Sequence, residues 1–176
     1  MEELSQLDKY LNTSDSMPHA FLLIGHADAA MELAKDFSLK VTGQKFPNID
    51  TVQYDAGTEN ITDVREVIHI ASLKPLVATK KIVLLSNMDQ ASHQILNAIL
   101  KTLEESPSGA LFILLSTRAL LPTVMSRCQV VNVYSGQRLD PPEVEEALGM
   151  LTSARTKGLA ERMSMITKLA ELEEWE

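Results

Sequence analysis

The sequence predicts an α/β protein, an open, doubly wound parallel sheet of five strands followed by a small helical segment. Three observations carry this. Short apolar runs of strand length alternate with stretches whose apolar residues recur at helical spacing, the pattern of successive βαβ units. The chain has 176 residues, 45% of them hydrophobic, enough for one substantial core and a small appendage but not for two full domains. Past the fifth run, Asp140-Pro-Pro-Glu143 restarts helical patterning, which divides the chain into 1–135 and 136–176.

The first strand is expected at 20–24, ending at Gly25, with a helix at 27–41. A second strand, 51–54, precedes a helix whose Val64, Val67, Ile68 and Ala71 share one face. Thr62 is placed to cap that helix, Asp63 and Glu66 lie in its first turn, and Pro75 ends it. The third strand, 82–85, leads to a helix carrying Ile95, Leu96, Ile99, Leu100 and Leu103 on its buried stripe. The fourth spans 110–115. Pro122 opens a short helical turn in Leu121-Pro-Thr-Val-Met-Ser-Arg-Cys-Gln129, and a fifth strand follows at 130–133. Residues 135–139 read as a linker. Beyond them Asp140 caps a helix, Pro141 suits its first position and Glu143 completes a capping box. Gly149 closes that helix, and 157–172 reads as another amphipathic helix.

With 16 Lys and Arg against 24 Asp and Glu, the formal net charge is −8, which opposes sequence-independent attraction to phosphate backbones. DNA would be met through partners or a local patch, for which Lys74, Lys80, Lys81, Arg118 and Arg138 are the candidates. The longest apolar runs are too short to span a bilayer, and the acidic N-terminus is unlike an export signal, so no membrane association is expected. A single cysteine, Cys128, excludes an internal disulfide and a multi-cysteine zinc site and fits the reducing cytoplasm, the expected location. It reads as a small buried hydrophobe rather than a nucleophile. His19, His26, His69 and His93 show no metal-ligand spacing, and no metal is expected.

Open α/β sheets bind ligands at the carboxyl ends of their strands. A phosphate-binding loop there needs Gly-x-x-x-x-Gly-Lys-[Ser/Thr]: glycines let backbone N–H groups surround the phosphates, the lysine neutralises charge and the hydroxyl holds magnesium. Counting from Gly25, Ala30 stands for the second glycine, Met31 for the lysine and Glu32 for the hydroxyl residue. The third strand ends in Ser86 and Asn87 where magnesium and an attacking water would call for carboxylates. The nucleotide machinery is degenerate at two separate places, and no cofactor is expected.

Asn97-Ala-Ile-Leu-Lys101-Thr-Leu-Glu104-Glu105-Ser-Pro107 resembles the Asn-Ala-Leu-Leu-Lys-Thr-Leu-Glu-Glu-Pro-Pro stretch of the clamp-loader subunits of bacterial DNA polymerase III, a family of the AAA+ type. Leu121-Pro-Thr-Val-Met-Ser126-Arg127-Cys128-Gln129 resembles that family's Leu-Pro-Thr-Ile-x-Ser-Arg-Cys-Gln, and Ile61-Thr-Asp-Val-Arg65 its Ile-x-x-[Val/Ile]-Arg. The resemblance covers about residues 18–133. It implies an AAA+-type sheet with a lid-like segment after it, and partners of the gamma/tau and delta kinds. The sliding clamp and primed DNA would be reached through the complex.

Within that family the gamma and tau subunits carry an intact phosphate loop, whereas delta-prime subunits have often lost it, so the losses here resemble the delta-prime kind. The resemblance then implies a subunit without ATPase activity, whose Arg127 acts as an arginine finger in a neighbour's nucleotide site. It also implies an interface built from Ser126, Arg127, Cys128, Lys101, Glu104 and Glu105. Many relatives carry a four-cysteine zinc module; the stretch 40–50 holds no cysteine, so none is implied. Full subunits continue into a helical collar, which the residues after Asp140 cannot supply, so the chain is expected to be shortened or naturally short. Other readings stay open. Arg127 could be a surface arginine paired with a nearby carboxylate, Lys101 and Glu105 a solvated helical pair, and Thr117 a residual strand-end residue. The whole could instead be a divergent AAA+ ATPase or nucleotide-binding enzyme, or a purely structural relative.

Overall fold

The computed structural model describes residues 2–11, 17–58, 60–105, 107 and 109–134. All five expected strands form: β1 (Ala20–Gly25), β2 (Thr51–Asp55), β3 (Lys81–Ser86), β4 (Ala110–Ser116) and β5 (Gln129–Val133). They are parallel and lie in the order β2-β3-β4-β1-β5. Between them run α1 (Glu2–Leu11), α2 (Ala27–Thr42), α3 (Ile61–Ser72), a 3₁₀ turn at Met88–Gln90, α4 (His93–Glu105) and α5 (Pro122–Met125). The linker expected at 135–139 and the helical segment beyond it, with Arg138, Asp140 and Gly149, lie outside the described residues.

The interior positions of the central strands β1, β3 and β4 are apolar without alternation because both faces of the sheet are covered. Alternation sends successive residues to opposite sides. Leu22, Val83, Leu85, Phe112 and Leu114 meet Val64, Val67 and Ala71 of α3 and Ile95, Leu96, Ile99 and Leu103 of α4. Phe21, Leu23, Ile82, Leu84, Ile113 and Val131 meet Ala30, Ala34 and Phe37 of α2 and Leu7 of α1. Each such large side chain taken from water contributes about 1.5–3 kcal/mol.

Sequence patterning left α1 unread. Leu7, Tyr10 and Leu11 nevertheless stand at helical spacing, and the helix is held by the buried Leu7 and by an edge-on contact of the Tyr10 and Phe21 rings, 5.4 Å between centroids. Lys40 of α2 reaches back to the Asp8 carboxylate at 2.7 Å. A second correction concerns α3. Its cap is Asn60, not Thr62: Asn60 Oδ1 accepts from the Thr62 and Asp63 amides, and the Asp63 carboxylate accepts from the Asn60 amide. The helix also stops at Ser72, three residues before Pro75. Lys81 is corrected too. It is buried at the start of β3, with its charge felt by Asp50, and so is no surface contact for DNA.

Gly25 ends β1 with φ +156°, and a Cβ built there would lie 1.9 Å from the backbone oxygen of Val133 in β5. This glycine is required by the approach of two strands. Gly25→Ala is therefore expected to cost about 3 kcal/mol through strain and forced separation of the strands. Urea unfolding would show it as a lower midpoint at unchanged slope. A wild-type midpoint would mean that β1 and β5 part there freely.

Candidate functional site

The carboxyl ends of β1, β3 and β4 meet the start of α2 around a cavity of about 210 Å³. Of the degenerate loop residues, Ala30 and Met31 line it, while Glu32 is exposed and outside the lining. The loop itself is not a loop. α2 begins at Ala27, two residues after β1, and the Ala30 amide already donates to the His26 carbonyl at 2.9 Å as a helical hydrogen bond. The backbone at the position of an expected phosphate loop forms the first turn of a helix.

The charged side chains lining the cavity are Asp28, Asp55 and Asp89, and no Lys or Arg joins them among the described residues. A helix N-terminus offers about half a positive charge, too little against three carboxylates. Ser86 and Asn87 both lie in the lining, as expected from the end of β3, but their side chains serve the sheet. Ser86 Oγ donates to the Tyr54 carbonyl at 3.2 Å, and Asn87 Nδ2 donates to Asp55 Oδ1 at 2.8 Å. Asn87 has φ 52°, a left-handed conformation that Asn tolerates better than most residues.

Thr117, after β4, is likewise committed. Its amide and hydroxyl donate to the two Asp89 carboxylate oxygens at 3.3 and 3.0 Å, and Arg118 Nη2 donates to the Asp89 carbonyl at 3.0 Å. Burial works to raise the Asp89 carboxyl, but the hydrogen bonds from Thr117 and from its own amide, with the Arg118 charge, outweigh it and hold the group below its ordinary value. Sequence reasoning missed Asp28, Asp55 and Asp89; the signal was there for two of them, since Asp55 ends β2 and Asp89 follows closely on β3.

The second constellation lies where the two long motifs meet. Pro122 fixes the start of α5, Val124 is buried beneath it, and the amides of Ser126, Arg127 and Cys128 donate to the carbonyls of Pro122, Val124 and Met125 at 2.9, 3.0 and 3.3 Å. This turn pins the backbone of Arg127 two residues ahead of β5. Arg127 Nη1 donates to the Thr123 carbonyl at 2.8 Å and to Ser126 Oγ at 3.3 Å, and Nη2 donates to Glu104 Oε1 at 2.5 Å. The carboxylate partner allowed for by the bland reading therefore exists, and it comes from the other motif. Both side chains keep access to solvent, 33% for Arg127 and 53% for Glu104.

Lys101 and Glu105 form a loose, exposed pair at 3.8 Å, one turn apart on α4, as their spacing predicts. Cys128 is half-buried against the core, and burial pushes its thiol up to about 11, so the reactive thiolate is disfavoured. Among the described residues no group of three His, Cys, Asp or Glu is placed to hold a metal, and no helix is long and apolar enough to cross a membrane.

The family model described as DNA polymerase III, delta subunit, matches residues 38–136. The delta' subunit of Bacillus subtilis is 27% identical over 156 residues, covering 76% of this chain and 46% of that protein. That of Haemophilus influenzae is 31% identical over 118 residues, covering 66% of this chain and 32% of its own length. The gamma/tau subunit of Mycoplasma pneumoniae is 32% identical over 118 residues, 62% of this chain and 17% of that protein. The chain thus spans less than half the length of each of these relatives. Among solved structures, a DNA polymerase III gamma subunit-related protein of Thermotoga maritima superposes with a TM-score of 0.66 at 22% identity, over 90% of this chain and 64% of that one. The Bacillus subtilis DNA clamp loader delta protein does so with a TM-score of 0.56 at 12% identity, over 87% and 47%. The sheet is therefore the AAA+ type seen in clamp-loader proteins, and the chain belongs to the DNA polymerase III delta subunit family, among the clamp-loader subunits.

Proposed function

We propose that this chain is a catalytically silent, delta-prime-like subunit of a DNA polymerase III clamp loader. It takes no ATP at its own strand-end cavity and presents Arg127 to the nucleotide of a gamma/tau-type neighbour. Through that complex, with a delta-type subunit, it assists ATP-dependent loading of the sliding clamp onto primed DNA. The observation that carries the reading is the cavity: three aspartates, no lysine or arginine in its lining, and helix where a phosphate loop would stand. A triphosphate bound there would lose its hydration and gain repulsion.

The finger role rests on different grounds. A planar, permanently charged side chain sits on a rigid turn in the Ser-Arg-Cys sequence, still open to solvent. Supplied in trans, such a group stabilises charge on a transferring phosphoryl group. The competing reading, a divergent ATPase, draws on the gamma/tau relatives, one of which is 38% identical over 84 residues.

Titration calorimetry of the full chain with magnesium-ATP separates the two. The expected result is no saturable heat up to millimolar nucleotide, a regime weaker than about −4 kcal/mol, while the same chain raises the ATPase rate of a gamma-type partner. Micromolar affinity would overturn the silent reading.

A further inference from the structure

We propose that Glu104 is the positioning residue for Arg127, aiming the guanidinium that the preceding section offers to a neighbour's nucleotide; the inference rests on that reading. An arginine at the end of a flexible stem samples many rotamers, and a misplacement of about 1 Å can cost on the order of 10²-fold in rate. Here the stem is held from two elements. The Thr123 carbonyl and Ser126 Oγ take both hydrogens of Nη1, and Glu104 Oε1, from the last turn of α4, takes one of Nη2.

A guanidinium has five N–H donors in one plane. With three engaged, the Nε–H and one hydrogen of Nη2 have no acceptor among the described residues. Three anchors fix the plane, and the remaining two donors stay available for phosphoryl oxygens. The Thr123 and Ser126 contacts come from the same turn that carries Arg127, so they move with it. Glu104 alone ties the guanidinium to a long helix packed into the core through Ile99 and Leu103. In this chain one motif supplies the arginine and the other its stay.

A surface ion pair contributes little to stability, so a purely structural pair would be silent in catalysis. The test uses the full chain in complex with a gamma-type partner, measuring stimulated ATPase as kcat and KM for ATP, with complex formation followed in parallel. Compared at matched complex formation, Glu104→Ala is expected to lower the stimulated kcat about tenfold with KM for ATP little changed, and Glu104→Gln, which keeps the acceptor oxygen, to recover to within about threefold. In an Arg127→Ala background Glu104→Ala should do nothing further, because it acts through the arginine. The proposal is overturned if Glu104→Ala leaves kcat within twofold of wild type while Arg127→Ala abolishes stimulation. It is overturned equally if Glu104→Ala raises kcat, which would make the carboxylate a restraint that holds the arginine away. If Arg127→Ala itself changes nothing, the finger reading fails first, and the two failures are told apart.

Discussion

On the proposed finger role, Arg127→Ala is expected to abolish stimulation of a gamma-type partner's ATPase, lowering turnover at the completed site about 10³-fold. The expectation follows from what a guanidinium in the proposed finger role would supply: a fixed cation in a site from which water is excluded, where charge develops on the transferring group. The chain's own fold should be indifferent. The Glu104 contact is solvent-accessible on both sides, and the backbone of the turn is held by Pro122 and the buried Val124 rather than by the arginine side chain. Arg127→Lys keeps the charge but not the fork, so it should recover only part of the rate. The measurement is the DNA- and clamp-stimulated ATPase rate at matched complex formation. Unchanged stimulation in Arg127→Ala would reduce the chain to a scaffold.

The second large effect lies at the opposite edge of the sheet, beside β2. Asp50, just before β2, is fully buried, and its carboxylate accepts from the amides of Leu76, Val77 and Ala78 at 2.6, 2.7 and 2.7 Å. Among the described residues no other side chain hydrogen-bonds that segment, and Leu76 and Val77 are 72% and 66% exposed. Asp50→Ala would leave three amides without their acceptor, for a loss of about 4 kcal/mol, and Asp50→Asn about 3 kcal/mol. Burial would raise the Asp50 carboxyl, but the three amides and the Lys81 charge outweigh it, holding the group below its ordinary 3.8. A depressed carboxyl contributes its stability above the unfolded value and loses it as pH falls through the folded one. The gap between wild type and Asp50→Asn in urea unfolding should thus stay constant from pH 7 to 5 and narrow below about pH 4. A gap that persists into strong acid would mean the charge plays no part.

Periodicity reached the sheet and most of its helices because both signals are local: unbroken apolar runs for strands covered on two faces, and one apolar stripe for α3 and α4. That Ala30 and Met31 stand where a phosphate loop would place Gly and Lys was legible for the same reason, as a count from Gly25. What escaped was distant in sequence or ambiguous at short range. Asp50 binds amides 26 to 28 residues away, a relation no pattern announces. Glu104 and Arg127 are 23 apart, and the local pairing of Lys101 with Glu105 drew attention to the weaker of the two contacts. Asn60 and Thr62 can both cap a helix; the choice fell to Asn60 because its side chain reaches two amides and Asp63 answers it. The helix Glu2–Leu11 is short, and its few apolar positions gain meaning only from Phe21 and Phe37 across the layer.

The register of β5 against β1 has a further consequence. β5 enters beside Phe21 and comes level with Gly25 only at Val133, about 13 Å along the strand at 3.3 Å per residue. The turn carrying Arg127 precedes the near end of that pair, and the aspartate-lined cavity lies beyond the far end. Groups so separated, with no shared partner, contribute additively to free energy. Substitutions in the turn carrying Arg127 and in the aspartate-lined cavity should therefore add in their effects on stability, so that either place can be altered without disturbing the other.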